Sequence, residues 1–220
     1  MIGEVRLWFE KTGPLKFTSH LDFLRYFQRV IKMSKIPIWY TQGYNPKMYV
    51  AFGLPLSLGM TGKNEFAEIR LTEEISKEEI LSKLNKNLAH GFKFTDVTKV
   101  KMKLSEVSFA SFNAKYFALD KTPQELYNKI EELLGMPVIE IEKKSKKGVA
   151  LFDIAPYFKE VKFTLCEDGV DASFMLPAGS GHLSVSPKLI YETIRDYTGF
   201  DLSFEIERTG IYNAKKVLFK

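Results

Sequence analysis

Residues 5–31 read VRLWFEKTGPLKFTSHLDFLRYFQRVI, and within this stretch the apolar period changes from that of a strand to that of a helix. Val5-Arg6-Leu7-Trp8-Phe9 is rich in strand formers and alternates imperfectly. Lys11-Thr12-Gly13-Pro14 breaks the pattern, and Leu15-Lys16-Phe17 resumes it. From there the apolar positions become Leu21, Leu24, Phe27 and Ile31, with Phe23 and Val30 beside them. A strand therefore passes into a helix expected over about residues 20–34.

Outward from this unit the same alternation continues. Ile36–Tyr40 reads as extended, and Met48–Phe52 as a strand after the turn-rich Gln42–Lys47. The loop Gly53–Gly62 leads to the alternating Phe66–Leu71. Ser76-Lys77-Glu78-Glu79 is a capping-box pattern for a helix carrying Ile80, Leu81, Leu84 and Leu88, and Phe92–Val97 is the next strand. The order is βαββαβ. The second half repeats it: a strand over Val107–Leu119, a helix capped at Thr122 and running through Leu134, then strands at Val138–Glu142, Ala150–Ile154, Val161–Leu165 and Ala172–Leu176. A last helix follows Pro187 and a last strand covers Leu202–Ile206. The expected fold class is α+β: two tandem ferredoxin-like (βαββαβ) units with antiparallel sheets, over residues 1–104 and 105–220, the second with extra strands and the boundary near Met102–Glu106.

Composition narrows the classes. The 220 residues are 45% hydrophobic and 14% aromatic, enough apolar material to offset the entropy of ordering. No apolar run approaches the roughly 18 to 20 residues that span a membrane, and the start of the chain has no secretory pattern, so a cytoplasmic location is expected. Cys166 is alone, and His20, His90 and His182 are scattered; neither a metal nor another cofactor is expected. The net charge of +5 is unevenly spread. Residues 1–104 hold 17 Lys and Arg against 10 Asp and Glu, whereas residues 105–220 hold 15 against 17. A basic first half favours an anionic partner such as RNA.

The segment FTSHLDFLRY, Phe17–Tyr26, has two readings that are compatible. Ser19 with Asp22 three residues on is a helix cap, and a helix N-terminus also favours anions. Asp22, Arg25 and Arg29 share a face opposite the apolar stripe, and a pair of guanidinium forks there suits phosphate. His20 stands in the first turn and is expected, with Arg25, Arg29 and Lys47, to face a cleft that accepts RNA phosphate. The turn Tyr40–Tyr49 interleaves Gln42, Tyr44, Asn45 and Lys47, the mixture that stacks bases and holds a backbone. In Pro177–Pro187, Gly179 and Ser180 begin a Gly-rich loop before a helix, where backbone N–H groups can approach an anion.

Several of these residues carry a family resemblance. Glu10–Asp22, Ile36-Pro37 with Thr41-Gln42-Gly43-Tyr44-Asn45-Pro46, Phe52-Gly53-Leu54-Pro55-Leu56-Ser57-Leu58-Gly59 and Glu65-Phe66 resemble the radical SAM-linked family, a bacterial domain of unknown function. Gly179-Ser180, Pro187 and Arg208-Thr209-Gly210 match more loosely. Members of that family are encoded beside, or fused to, a radical S-adenosylmethionine protein, often near ribosomal-protein and ribonuclease genes. The resemblance thus implies a radical SAM partner and an RNA or ribosome setting. Lys47-Met48 stands where that family often has a His-Pro pair, so no catalytic histidine occupies position 47.

Three functions follow as expectations: an RNA-binding accessory module for a radical SAM enzyme in tRNA, rRNA or ribosome-related processing; a stand-alone endoribonuclease-like enzyme with His20 and Asp22 as acid/base candidates; or a protein-docking adaptor. The chain is not itself a radical SAM enzyme, because one cysteine cannot hold an iron–sulfur cluster.

Overall fold

The computed structural model describes residues 2–145, 148–179 and 184–220. Among these, two compact units are formed. One comprises residues 2–110 with Gly179 and Glu207–Lys220; the other comprises 111–178 and 184–206. The fold is α+β and its strand pairing is mostly antiparallel.

In the first unit, β1 (Gly3–Lys11) lies between β3 (Thr61–Leu71) and β4 (Phe92–Lys99), antiparallel to both. The short β2 (Val50–Phe52) pairs antiparallel with β3, Val50 opposite Ile69. On the same strand, the later half of β10 (Leu202–Asn213) pairs in parallel, Arg208 opposite Gly62. The imperfect alternation of Val5–Phe9 has a simple cause: β1 is covered on both faces. Val5, Leu7 and Phe9 meet Phe23, Phe27 and Ile31 of α1 (His20–Ser34) and Ile80 and Leu84 of α2 (Lys77–Leu84). Trp8, pointing the other way, packs with Phe66, Val107, Ile211 and Phe219. Arg6 shares that second face, its guanidinium bonded to Glu68 and the Met102 carbonyl and lying over the Phe66 ring at 4.2 Å.

Several local expectations change, and α2 for one ends at Leu84, so Leu88 lies beyond it. Leu15–Phe17 is not a strand but part of a 3-10 turn over Gly13–Phe17, because Gly13 takes φ +55 and Pro14 follows it; the Thr18 N–H closes the turn on the Leu15 carbonyl. Leu21 is 63% exposed, so the buried stripe of α1 runs through Phe23, Phe27 and Ile31 instead. Leu21 lies two residues before Phe23, on the far side of the helix.

In the second unit the sheet order is β10-β5-β9-β8, with β5 over Val107–Ala118, β8 over Lys162–Leu165 and β9 over Val170–Pro177. The helix α3 (Pro123–Leu134) buries Leu126, Ile130 and Leu133 and lies near α5 (Lys188–Thr198), which buries Ile190 and Ile194. Thr122 starts α3 with a reciprocal box: its hydroxyl accepts from the Glu125 N–H, and the Glu125 carboxylate accepts from the Thr122 N–H. The strands β6 (Glu140–Ser145) and β7 (Gly148–Asp153) form a hairpin of their own, followed by the short α4 (Ala155–Phe158), a turn of helix that the sequence pattern does not announce. Among the described residues no helix is long and apolar enough to cross a membrane.

The core assignment makes a direct prediction. Phe27→Ala removes a fully buried ring and should lower unfolding free energy by about 3–5 kcal/mol. Leu21→Ala should stay within about 0.5 kcal/mol of the parent in urea unfolding.

Candidate functional site

The first turn of α1 is built by hydrogen bonds within a few residues. The Ser19 hydroxyl accepts from the Asp22 N–H at 3.2 Å and donates to one Asp22 oxygen at 2.7 Å. The other Asp22 oxygen accepts from Arg25 at 3.0 Å. Ser19 therefore caps the helix, and Asp22 holds the guanidinium in place. Both members of the pair are well exposed, 76% for the Arg25 side chain and 58% for that of Asp22, so water screens their attraction and leaves little net stabilisation. Arg29, one turn further on, is also exposed.

His20 points elsewhere. Its ring is half-buried and meets the Phe52 ring edge-on at 5.4 Å. It borders a pocket of about 10 Å³, space for roughly one water, with Lys11 and Glu65 among the walls and Phe9, Phe23, Leu54 and Leu56 completing them. No hydrogen bond joins His20 to Asp22 among the described residues, and both Asp22 oxygens already have partners. The two acid/base candidates are thus not brought together.

Buried charges that the sequence pattern did not single out stand at this pocket: Lys11 and Glu65 line it, and Arg208 pairs with Glu65. Glu65 is 2% exposed and Arg208 3% exposed; the Arg208 Nε donates to one carboxylate oxygen at 2.8 Å and a terminal nitrogen donates to the other. Two further donations from Arg208 go to the carbonyls of Leu54, at 2.6 Å, and Pro55, at 3.3 Å. A Cβ on Gly62 would run into the Glu65 carboxylate, so the strand start tolerates the pair only with glycine there. Lys11 is 1% exposed. Its ammonium donates to the Thr18 carbonyl at 3.2 Å and lies 4.8 Å from the centre of the Phe23 ring. Burial holds its pKa below the ordinary lysine range; the nearby Glu65 charge opposes that shift and Arg208 adds to it. The cluster Lys11–Glu65–Arg208 so carries one formal positive charge in excess. The signal for Lys11 was present: it continues the Val5, Leu7, Phe9 series at every second position.

The turn after residue 40 stands open to solvent. Tyr40 and Met48 form a bridge, and Thr41 and Lys47 exchange two bonds: Thr41 N–H to the Lys47 carbonyl, and Lys47 N–H to the Thr41 hydroxyl, each 2.9 Å. Gln42, Tyr44, Asn45 and Lys47 are all exposed, Tyr44 completely. No hydrogen bond or ion pair joins these residues to Arg25 or Arg29 among the described residues. Gly179 takes φ +119 and its α-carbon approaches the Val107 carbonyl so closely that a Cβ would clash; a backbone requirement accounts for this glycine. Ser180 lies outside the described residues, as do Gly181 and His182. Among the described residues no cluster of three His, Cys, Asp or Glu side chains is able to hold a metal ion.

Comparison with known families now adds to this geometry. The chain belongs to the family described as "Uncharacterized protein conserved in bacteria (DUF2344)", which matches residues 4–185. No match was found among curated proteins.

The desolvated Lys11 predicts a pH dependence. Its folded pKa lies below its unfolded value of 10.5, so between those two values the unfolded chain binds more protons. Stability attributable to Lys11 must therefore rise with pH across that window. The difference in urea unfolding free energy between the parent and Lys11→Met should move in the parent's favour as the pH rises toward the unfolded value of 10.5. A difference that is flat in pH would mean that Lys11 keeps its charge in water.

Proposed function

We propose that this family member is an RNA-binding accessory module, cytoplasmic, which presents substrate to a radical SAM enzyme in tRNA, rRNA or ribosome-related processing. The observation that carries the reading is Tyr44: a phenol ring exposed completely, on a turn whose two ends are tied by the Thr41–Lys47 bonds. An aromatic face held out in water on a closed turn has nothing of its own chain to pack on, and stacking on an unpaired base supplies what is missing. Gln42, Asn45 and Lys47 supply amide and ammonium donors beside it. The Arg25 guanidinium, already oriented by Asp22, and the exposed Arg29 add phosphate forks. The excess of basic residues in 1–104 supplies the long-range attraction.

Two further considerations support the partner and the fold type. Radical chemistry of this kind needs a cluster held by several thiolates, and Cys166 is alone, so the cluster has to be held by residues outside these 220. We also read both units as ferredoxin-like. The strand orders β4-β1-β3-β2 and β10-β5-β9-β8 follow one pattern in chain order once the β6–β7 hairpin and α4 are counted as an insertion. A stand-alone nuclease is less well supported, because His20 and Asp22 do not act on a common point.

The test is co-purification of the tagged chain with sequencing of bound RNA and identification of bound protein, followed by variants. Arg25→Ala with Arg29→Ala should leave melting nearly unchanged, weaken RNA binding and flatten its salt dependence, since fewer counterions are released. Tyr44→Ala should cost about 1–3 kcal/mol of binding to single-stranded RNA. Unchanged binding by both variants at every salt concentration removes this site from consideration. Loss of RNA cleavage by the isolated chain on His20→Ala, with binding intact, would favour the enzyme instead.

A further inference from the structure

The second unit carries an open groove of about 510 Å³ that the RNA reading does not use. One wall is helical, from the end of α3 and the outer turns of α5. The other is the chain from Val138 into β6, where Glu140, Ile141 and Glu142 all line the space. Successive strand residues point to opposite faces, so a groove that touches three in a row runs along the edge of the strand. That edge is unpaired: among the described residues β6 bonds only to β7. In an antiparallel pair, every second residue of the outer strand directs its N–H and C=O away from its partner, here toward the groove. A two-stranded hairpin is also marginal by itself and gains from a third strand.

The chemistry of the walls specifies the occupant. Leu133, Leu189 and the half-exposed Val138 form an apolar floor. Around it stand Glu140, Glu142, Glu192 and Asp196. Among the described residues the three glutamates have no ion-pair partner, and Asp196 pairs only with its exposed neighbour Arg195. Nucleic acid would bring phosphates against four carboxylates, which disfavours it here. We propose that this groove takes up an extended, basic segment of a partner polypeptide as a third strand on β6, with apolar side chains on the floor and Lys or Arg side chains between the carboxylates. The surface is independent of the RNA-binding residues and stands or falls without them.

The probe is the peptide acetyl-Lys-Val-Lys-Val-Lys-Val-amide, titrated against the full chain at low salt. Two control peptides accompany it: the same sequence N-methylated at alternate residues, and a version with Glu replacing Lys. Saturable binding is expected below about 1 mM, with amide shifts at Glu140–Glu142 in nuclear magnetic resonance spectra. The N-methylated peptide should bind roughly tenfold more weakly, as should the parent peptide to the folded Glu192→Lys, Asp196→Lys variant. Absence of saturable binding overturns the proposal. So does equal binding of the N-methylated or the Glu peptide, or binding indifferent to the charge reversals. Self-association of the chain that disappears in the same variant would make a second copy the occupant and would also overturn it.

Discussion

Glu65 and Arg208 stand 143 residues apart in the chain, yet both are desolvated, and neither is tolerable there without the other. Moving a carboxylate or guanidinium out of water costs several kcal/mol even after relaxation. Here both carboxylate oxygens accept from the guanidinium, and its spare donors reach the carbonyls of Leu54 and Pro55. The compensation works only when the start of β3, the loop after β2 and the later half of β10 are all in register. One ion pair so fixes three segments. The walls of the His20 pocket follow from that registration, because Phe52, Leu54 and Leu56 lie on the segments it holds.

Charge is used in two ways in this unit. Lys11, Glu65 and Arg208, like Arg6 and Glu68 on the other face of the sheet, are buried and act by geometric demand. Their hydrogen bonds specify which backbone lies where, more than they add net stability. Arg25, Arg29 and Lys47 remain in water, where a side chain gives up little when it meets a phosphate. The distinction separates residues whose replacement should unfold the unit from those whose replacement should change only what it binds.

Much of the local structure was legible in the chain. Ser19, Ser76 and Thr122 each cap the helix expected, because a cap is a hydrogen bond to a backbone N–H three residues away and needs nothing remote. The core positions Phe27 and Ile31 of α1, the solvent-exposed turn around Tyr44 and the orientation of Arg25 by Asp22 have the same short range. By contrast, β10 continues to Asn213 through Glu207-Arg208-Thr209-Gly210, a polar run that reads as the end of a strand. Pairing with partners from elsewhere in the chain, Thr61 and Gly62 among them, makes it one.

The sequence by itself determined the order of the strands and of the longer helices, the caps, the concentration of basic residues in the first half and the lack of thiols for a cluster. Each of these depends on residue types within a turn or two, or on a simple count. Tertiary structure alone decided that Arg208 is buried against Glu65, that His20 turns from Asp22 toward Phe52, that Leu21 faces water, and that the edge of β6 opens onto carboxylates of α5. Whether a charge is paid for by a partner, and whether a strand edge is paired, depends on groups brought from far along the chain, and no local pattern encodes which of them will arrive.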